Sequence, residues 1–374
     1  MKKILIITRN LPPLVGGMER LNWHMADELS KYAEVSVIGP RGSKELKPQN
    51  IKLSEAPLKP LPLFMLITFI KSIWFALCDR PDTILAGSGL TAPLVWLVSK
   101  LIGAKSVIYL HGFDITAPHW IYQTLWVTFF KRMDHVIVNS TPTKELALNV
   151  GVQEKKMTIV HPGVTLPETA QPLSKIQSFK QKYGLKHKKI LLSVGRLTTR
   201  KGLKEFVENS LTHIIQQEPN VILVVVGESP KNSLGAGLQT REEILEIARN
   251  NHIEKHILFL GVITDNEQLA TIYEAAEVHV FPVRYIPDDP EGFGMVAIEA
   301  AAHGLPTVAF ATGGIVDAVK QNKSGWLVEK NNYGALAKQV IEVLQQPKNI
   351  EQCQSFAKGF EWVSFGRQVA KTFI

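Results

Sequence analysis

The chain has 374 residues, 45% of them hydrophobic and 20% charged, which suits two ordinary cores and excludes disorder. Its two cysteines, Cys78 and Cys353, stand far apart without metal-ligand spacing, which excludes a disulfide framework and fits a reducing cytosol. The net charge is +8, and residues 1–165 hold 19 Lys and Arg against 12 Asp and Glu, an excess suited to nucleic acid, anionic headgroups or a phosphorylated substrate.

The N-terminus, "MKKILIITRN", has an apolar run too short for a signal peptide and predicts a buried first strand. Similar runs rich in Val and Ile recur at 34–39, 83–87, 105–112 and 135–140, each followed by a helix-period segment. Such runs, ending in Gly, Asn or Ser, predict parallel strands buried on both faces.

Two stretches between them stand out. "LPLFMLITFIKSIWFALC" (61–78) is short of the ~20 residues of a membrane span, and Lys71 lies near its middle. Thr68, Lys71 and Ser72 make a narrow polar stripe, so the expectation is a helix packed largely on its own domain. Partial exposure to a bilayer is the alternative. "HWIYQTLWVTFFKRMDH" (119–135) sets Trp120, Tyr122, Trp126, Phe129 and Phe130 beside Lys131 and Arg132. An interfacial helix and a core segment with a solvated tip both fit it.

The strand pattern restarts after "VHPGVTLPETAQP" (160–172), with runs at 189–195, 221–227, 256–261, 278–282 and 306–310. Two βα series predict an α/β protein of two doubly wound, Rossmann-like domains facing each other across a cleft. Their ligands would bind beyond the carboxyl ends of the strands.

Three stretches at such ends carry candidate chemistry. In "SVGRLTTRKG" (193–202), Arg196 follows a strand directly and Lys201 lies near the next helix start, an arrangement suited to phosphate. Ordinary surface charge is the other reading, and it is stronger for Lys201, which has Arg200 and Lys204 beside it. "VVVGESP" (224–230) places Gly227 and Glu228 at the following strand end, as many α/β loops do. "FPVRYIPDDPEGFGMVAIEAAAHGLP" (281–306) places Glu291 at an expected helix start, with backbone N–H donors from Gly292 to Met295. Glu299 then lies about 12 Å further along the axis. Glu291 could simply complement the helix dipole. Glu299, among Val296, Ala297, Ile298 and three alanines, is expected to be buried and to need a partner.

Together these stretches resemble the family 4 glycosyltransferases, the retaining, metal-independent branch with the GT-B fold. The likeness rests on "PPLVGGMER" (12–20), "YLHGFD" (109–114), "VGRLTTRKG", "VVVGESP", the Glu-x7-Glu pair, "TGGIVDAV" (312–319), "SGWLVEKNN" (324–332) and a final helix with Trp362. It implies an acceptor-side domain over 1–168 plus a helix at about 355–374, and a donor-binding domain over 169–354. It implies that Glu299 binds the donor ribose and Glu291 the hydroxyls of the transferred sugar. Arg196 and Lys201 would neutralise the leaving diphosphate, and Gly16 and Gly17 would approach the phosphates and acceptor. His111 would contact the sugar near the reacting carbon. Glu228, Ile263, Gly292, Phe293, Gly294 and Met295 would complete the donor side. The acceptor would attack the face the diphosphate leaves, without an enzyme nucleophile.

The insertion "RYIPDDPEG" is similar to that of phosphatidylinositol mannosyltransferases. It favours GDP-mannose over UDP-sugars and a lipid-linked or glycan acceptor in surface polysaccharide, lipopolysaccharide or glycolipid synthesis. The implied location is cytoplasmic, with peripheral contact to an anionic membrane. Asp288 and Asp289 are adjacent rather than spaced as a metal-binding pair, so no metal is expected. The chain departs from the family pattern at "HPGVT" (161–165), which lacks the usual Asn and Asp, and at "GESP". A non-catalytic nucleotide-sugar-binding subunit and a nucleotide-sugar 2-epimerase of the same fold are the alternatives. No nucleic-acid recognition motif is present.

Overall fold

The structure is a computed structural model that describes residues 2–230 and 237–373. The chain divides into two compact units, Met1–Gly163 with Phe360–Ile374, and Val164–Gly359.

Among the described residues, the first unit holds a parallel sheet of seven strands: β1 (Lys3–Ile7), β2 (Glu34–Pro40), β3 (Ile51–Ala56), β4 (Thr83–Ala86), β5 (Lys105–Leu110), β6 (His135–Val138) and β7 (Met157–Ile159). Their order is β3-β2-β1-β4-β5-β6-β7. β1 is central, with Ile4 opposite Val35 on one side and Thr83 on the other, which is why "ILII" is buried on both faces. The apolar runs mark β1, β2, β4, β5 and β6 but not β3 or β7. Those two are the sheet edges, and "IKLSEA" and "MTI" are only partly covered, so their sequences need no continuous apolar run.

The last helix, Trp362–Lys371, packs on the helix Gly17–Ser30 of this unit. The Trp362 ring stacks on His24 with centroids 3.9 Å apart and meets Phe365 edge-on, and Phe365 in turn meets Tyr109.

The stretch 61–78 is a single helix, Leu61–Cys78, which packs on its own unit along one face only, less than expected. The polar stripe faces inward: Thr68 and Ser72 are fully buried with Phe64 and Ala76. Lys71 Nζ reaches back to donate to Ser54 Oγ (2.9 Å) and the Glu55 carbonyl (2.5 Å). Phe69, Ile73 and Phe75 also pack against the core of this unit, while Leu63, Leu66, Ile70, Trp74 and Leu77 are exposed. The 119–135 stretch divides between its two readings. Phe130 is buried and Trp126 Nε1 donates to the Leu90 carbonyl, while Trp120 and Leu125 are exposed.

Among its described residues the second unit holds a six-stranded parallel sheet: β8 (Lys189–Val194), β9 (Val221–Val226), β10 (Ile257–Gly261), β11 (Val278–Phe281), β12 (Thr307–Phe310) and β13 (Gly325–Val328). The order is β10-β9-β8-β11-β12-β13. Successive β9 side chains enter two different cores. Val221, Leu223 and Val225 pack with Leu191, Phe206 and Val280, while Ile222, Val224 and Val226 pack with Ile190, Leu192 and Tyr273. An unbroken "VILVVV" is what a strand covered on both faces requires. β13 escapes the apolar pattern because it is again an edge.

Burial pushes His24 down to about 4, with Arg20 and Lys31 adding to the effect. The unfolded chain therefore takes up a proton near pH 6.5 that the folded unit refuses until about 4. Stability is full above the unfolded value and falls as the pH drops through this window. Six of the seven tryptophans lie in the first unit, so tryptophan emission reports its melting. The melting temperature should fall between pH 6.5 and 4, and His24→Phe, which keeps the stack on Trp362, should flatten that slope.

Candidate active site

The decisive geometry lies where the loops after β8 and β11 meet. Thr199–Lys201 forms a single tight turn closed by Gly202 at φ +67. A Cβ on Gly202 would sit 2.2 Å from the Pro282 carbonyl oxygen, so only glycine lets these two loops touch. The contact is fixed by Arg284 N donating to the Arg200 carbonyl (2.8 Å).

This approach sets two cations on one carboxylate oxygen. Arg200 Nη1 and Lys201 Nζ both bind Glu291 Oε2, the lysine at 2.8 Å. Arg200 Nε also lies 3.1 Å from Asp289 Oδ1, an ion pair without hydrogen-bond alignment. Lys201 Nζ stands 4.6 Å over the Phe281 ring. Burial alone would raise the Glu291 pKa, but Arg200 and then Lys201 outweigh it and hold the acid at about 2. Burial lowers Lys201, with Glu291 opposing, and burial raises Asp289 against the pull of Arg200. Beneath them His279 is fully buried. Desolvation, with the Lys201 charge, takes it to about 3, so it remains a neutral ring bonded to Thr307 Oγ1 (3.0 Å).

Glu291 does not open the helix as the sequence suggested. The helix is Met295–Ala302, and Gly294 at φ +94 separates it from the acid. Glu291 instead occupies a loop whose carbonyl accepts from Gly314 N (2.8 Å). A Cβ on Gly314 would meet the Gly292 carbonyl oxygen at 2.0 Å, so "TGG" is the seat on which the Glu291 loop rests. The 12 Å axial separation of the two glutamates therefore does not apply.

Glu299 does lie on that helix, but half-buried rather than buried as expected, and a partner for it is Tyr273. The phenol, almost fully buried, donates to Oε2 at 3.3 Å. Its ring stacks on His303, whose Nδ1 is 3.1 Å from Glu274 Oε1. Arg196 is exposed at the end of β8, where its charge is felt by Lys201, Asp289 and Glu291. Glu228 is exposed beyond β9, its carbonyl accepting from Leu197 N, and Ile263 packs on the core under β10. Gly292 and Met295 are half-buried, whereas Phe293 and Gly294 are buried.

In the first unit, His111 follows β5 and is buried. Its Nε2 lies 2.9 Å from the Gly87 carbonyl, which can only accept, so that nitrogen carries the proton and Nδ1 is left as the acceptor. Asp114 accepts from the backbone of both Gly89 and His111 and so shapes the "HGFD" turn. Gly16 caps the helix Gly17–Ser30 and Gly17 opens it, close to a Glu19 carboxylate that accepts from Asn10 Nδ2 (2.8 Å).

Sequence reading missed Arg200 and Tyr273. Arg200 was visible only as one more basic residue beside Lys201. Tyr273 lies on a different helix, Asn266–Ala275, with nothing local to connect it to Glu299.

Residues 175–360 match the family Glycosyl transferases group 1, and residues 15–167 match Glycosyltransferase Family 4. The chain belongs to glycosyltransferase family 4. As a family member it is a sugar-nucleotide-dependent glycosyltransferase of the hexosyltransferase class. This glycosyltransferase is 24% identical to the GDP-mannose-dependent alpha-(1-6)-phosphatidylinositol monomannoside mannosyltransferase of Mycolicibacterium smegmatis, over 92% of its own chain and 90% of that one. It is 30% identical to the D-inositol 3-phosphate glycosyltransferase of the same organism over 61% of its chain and 50% of the relative. Its fold matches Anabaena HepE in complex with UDP and glucose, with a TM-score of 0.80, 20% identity and coverage of 100% and 99% of the two chains. Sucrose-phosphate synthase from Thermosynechococcus elongatus gives 0.79 at 21% identity, over 99% and 98%. Both sheets of the glycosyltransferase are those of the GT-B fold.

Arg200→Met should release Asp289 and leave Glu291 with Lys201 alone. Removing one hydrogen-bonded partner of a buried ion cluster costs about 1.5–3 kcal/mol. The loss is expected in denaturant unfolding of the second unit, and Arg200→Lys should recover part of it.

Proposed function

We propose that this enzyme moves a hexose, with mannose favoured, from GDP-mannose to a lipid-linked or glycan acceptor with retention of configuration. The second unit would be the donor domain and the first the acceptor domain. The acceptor would be presented at the cytoplasmic face of an anionic membrane during surface polysaccharide, lipopolysaccharide or glycolipid assembly. The observation that carries the reading is the Arg200–Lys201–Glu291 cluster at the carboxyl ends of β8 and β11. It joins cations suited to a diphosphate to a carboxylate suited to sugar hydroxyls. GDP-mannose is supported by the relative matched along nearly the whole chain.

In this reading Lys201 and Arg196 stabilise charge that grows on the leaving diphosphate, the moment at which such contacts accelerate a reaction. Both cations on Glu291 occupy Oε2, which leaves Oε1 to accept from hydroxyls of the transferred sugar. Glu299, held by Tyr273, pairs with the ribose diol. His111 presents a fixed tautomer near the reacting carbon, and Gly16 and Gly17 let the phosphates approach the backbone. The acceptor hydroxyl attacks on the face the diphosphate leaves and passes its proton to a departing phosphate oxygen, so positioning and charge supply the catalysis. The reaction is proposed to run without a metal, since Asp289 is paired with the Arg200 guanidinium rather than offered to a metal ion.

A calorimetric screen of GDP-, UDP- and ADP-sugars tests the donor. GDP-mannose should bind best, preference for UDP-glucose would move the reading toward the ligand in the HepE complex, and no binding would remove it. Glu299→Ala should weaken nucleotide affinity by about tenfold or more, since a charged hydrogen-bonded pair is lost. Unchanged affinity would end the ribose role. Arg196→Ala should lower kcat roughly 100-fold or more with a smaller effect on donor binding.

A further inference from the structure

The helix Leu61–Cys78 is apolar on both sides: Phe64, Phe69, Ile73 and Phe75 pack on its own unit, yet a second apolar face stands in water. Its fully buried positions are Phe64, Thr68, Ser72 and Ala76, one every four residues, and two of these are hydroxyls. Ser72 Oγ satisfies itself on the Thr68 carbonyl within the helix, and Lys71, the helix's one charged residue, is drawn inward to Ser54 and Glu55. On the opposite side stand Leu63, Leu66, Ile70, Trp74 and Leu77, 40%, 56%, 55%, 68% and 60% exposed. Their spacing of three or four residues makes one stripe about 21 Å long at 1.5 Å per residue. The neighbouring helix Ala92–Ile102 packs against it and itself leaves Leu97 and Leu101 exposed. A continuous apolar stripe of this kind marks a contact surface rather than scattered exposure.

Charge distinguishes between occupants. The first unit carries 21 Lys and Arg against 13 Asp and Glu, an excess of +8, so the second unit is neutral. The helix contains no acid; exposed Lys59 precedes it, and Asp79, Arg80 and Asp82 follow it, so the basic excess belongs to the unit as a whole. A second copy meeting this face would set two +8 units against each other, whereas an anionic bilayer meets both the apolar stripe and the basic surroundings.

We propose that the outer face of Leu61–Cys78 is a membrane wedge. The helix lies in the plane of an anionic bilayer and sets Leu63, Leu66, Ile70 and Leu77 below the headgroups, with Trp74 at the polar boundary. The proposal deepens the lipid-linked acceptor reading by giving the first unit a defined seat on the surface that would present such an acceptor. Insertion distinguishes this device from adsorption by charge alone: burial of apolar area is not screened by salt, whereas attraction between exposed charges is.

Cys78 supplies the probe, because it is exposed at the end of this helix while Cys353 is buried. An environment-sensitive dye on Cys78 should brighten, shift to the blue and become shielded from iodide on vesicles of phosphatidylglycerol and phosphatidylethanolamine. It should do so much less on phosphatidylcholine, and part of the signal should survive high salt. The triple variant Leu66→Ser, Ile70→Ser, Trp74→Ser should partition about tenfold or more weakly, with unchanged melting temperature and nucleotide affinity. A dye that stays aqueous on every vesicle would overturn the wedge. So would a wild-type dimer, seen by light scattering, that the triple variant dissolves without change in vesicle binding. Vesicle insertion without nucleotide binding would support the wedge and remove the functional reading instead.

Discussion

The donor unit depends on the meeting of two loops that would otherwise repel or hold apart. Arg200 and Lys201 stand side by side, and only a carboxylate placed between them makes that pairing tolerable inside the protein. Glu291 is that carboxylate. It reaches the cations because Gly202 lets its loop touch Pro282 and because Gly313 and Gly314 support the backbone behind the acid. Removing one partner from such a set leaves an uncompensated charge, which is why the cluster behaves as a unit. An incoming diphosphate would meet cations already gathered and an acid already oriented.

The floor of this cluster matters as much as its charges. His279 is kept neutral by burial, and Phe281 lies face-on under the Lys201 ammonium. Neither adds a charge that varies near neutral pH, so the field above them is set by the fixed ions alone. Glu299 is likewise met by a group that does not change charge near neutral pH, the buried phenol of Tyr273.

Much of this was legible in the sequence, and the reason differs from place to place. Central strands such as "VILVVV" announce themselves because both faces are covered. β3, β7 and β13 are silent because an edge strand needs no unbroken apolar run. Arg196, Lys201 and the two glutamates follow from their places after strands and from family resemblance. The role of Arg200 and the partner of Glu299 do not, since each depends on residues brought together from distant segments. The start of the helix was misplaced by four residues because a glutamate followed by glycine looks like a helix entry. Gly294 in the left-handed region decides otherwise. The helix at 61–78 left two readings open for a related reason: composition reports how apolar a segment is, but not which side the fold turns inward.

The return of Trp362–Lys371 to the first unit bears on biosynthesis. Residues 1–163 emerge from the ribosome without Trp362 and Phe365, which cover His24 and Tyr109. The whole second unit, roughly 200 residues, must be made before that cover arrives, a delay of ~10–40 s at ordinary elongation rates. The second unit can close during this interval, because its chain is continuous. Order of completion is thereby reversed relative to order of synthesis, and the nascent N-terminal sheet is the part that stays open to chaperones and proteases longest.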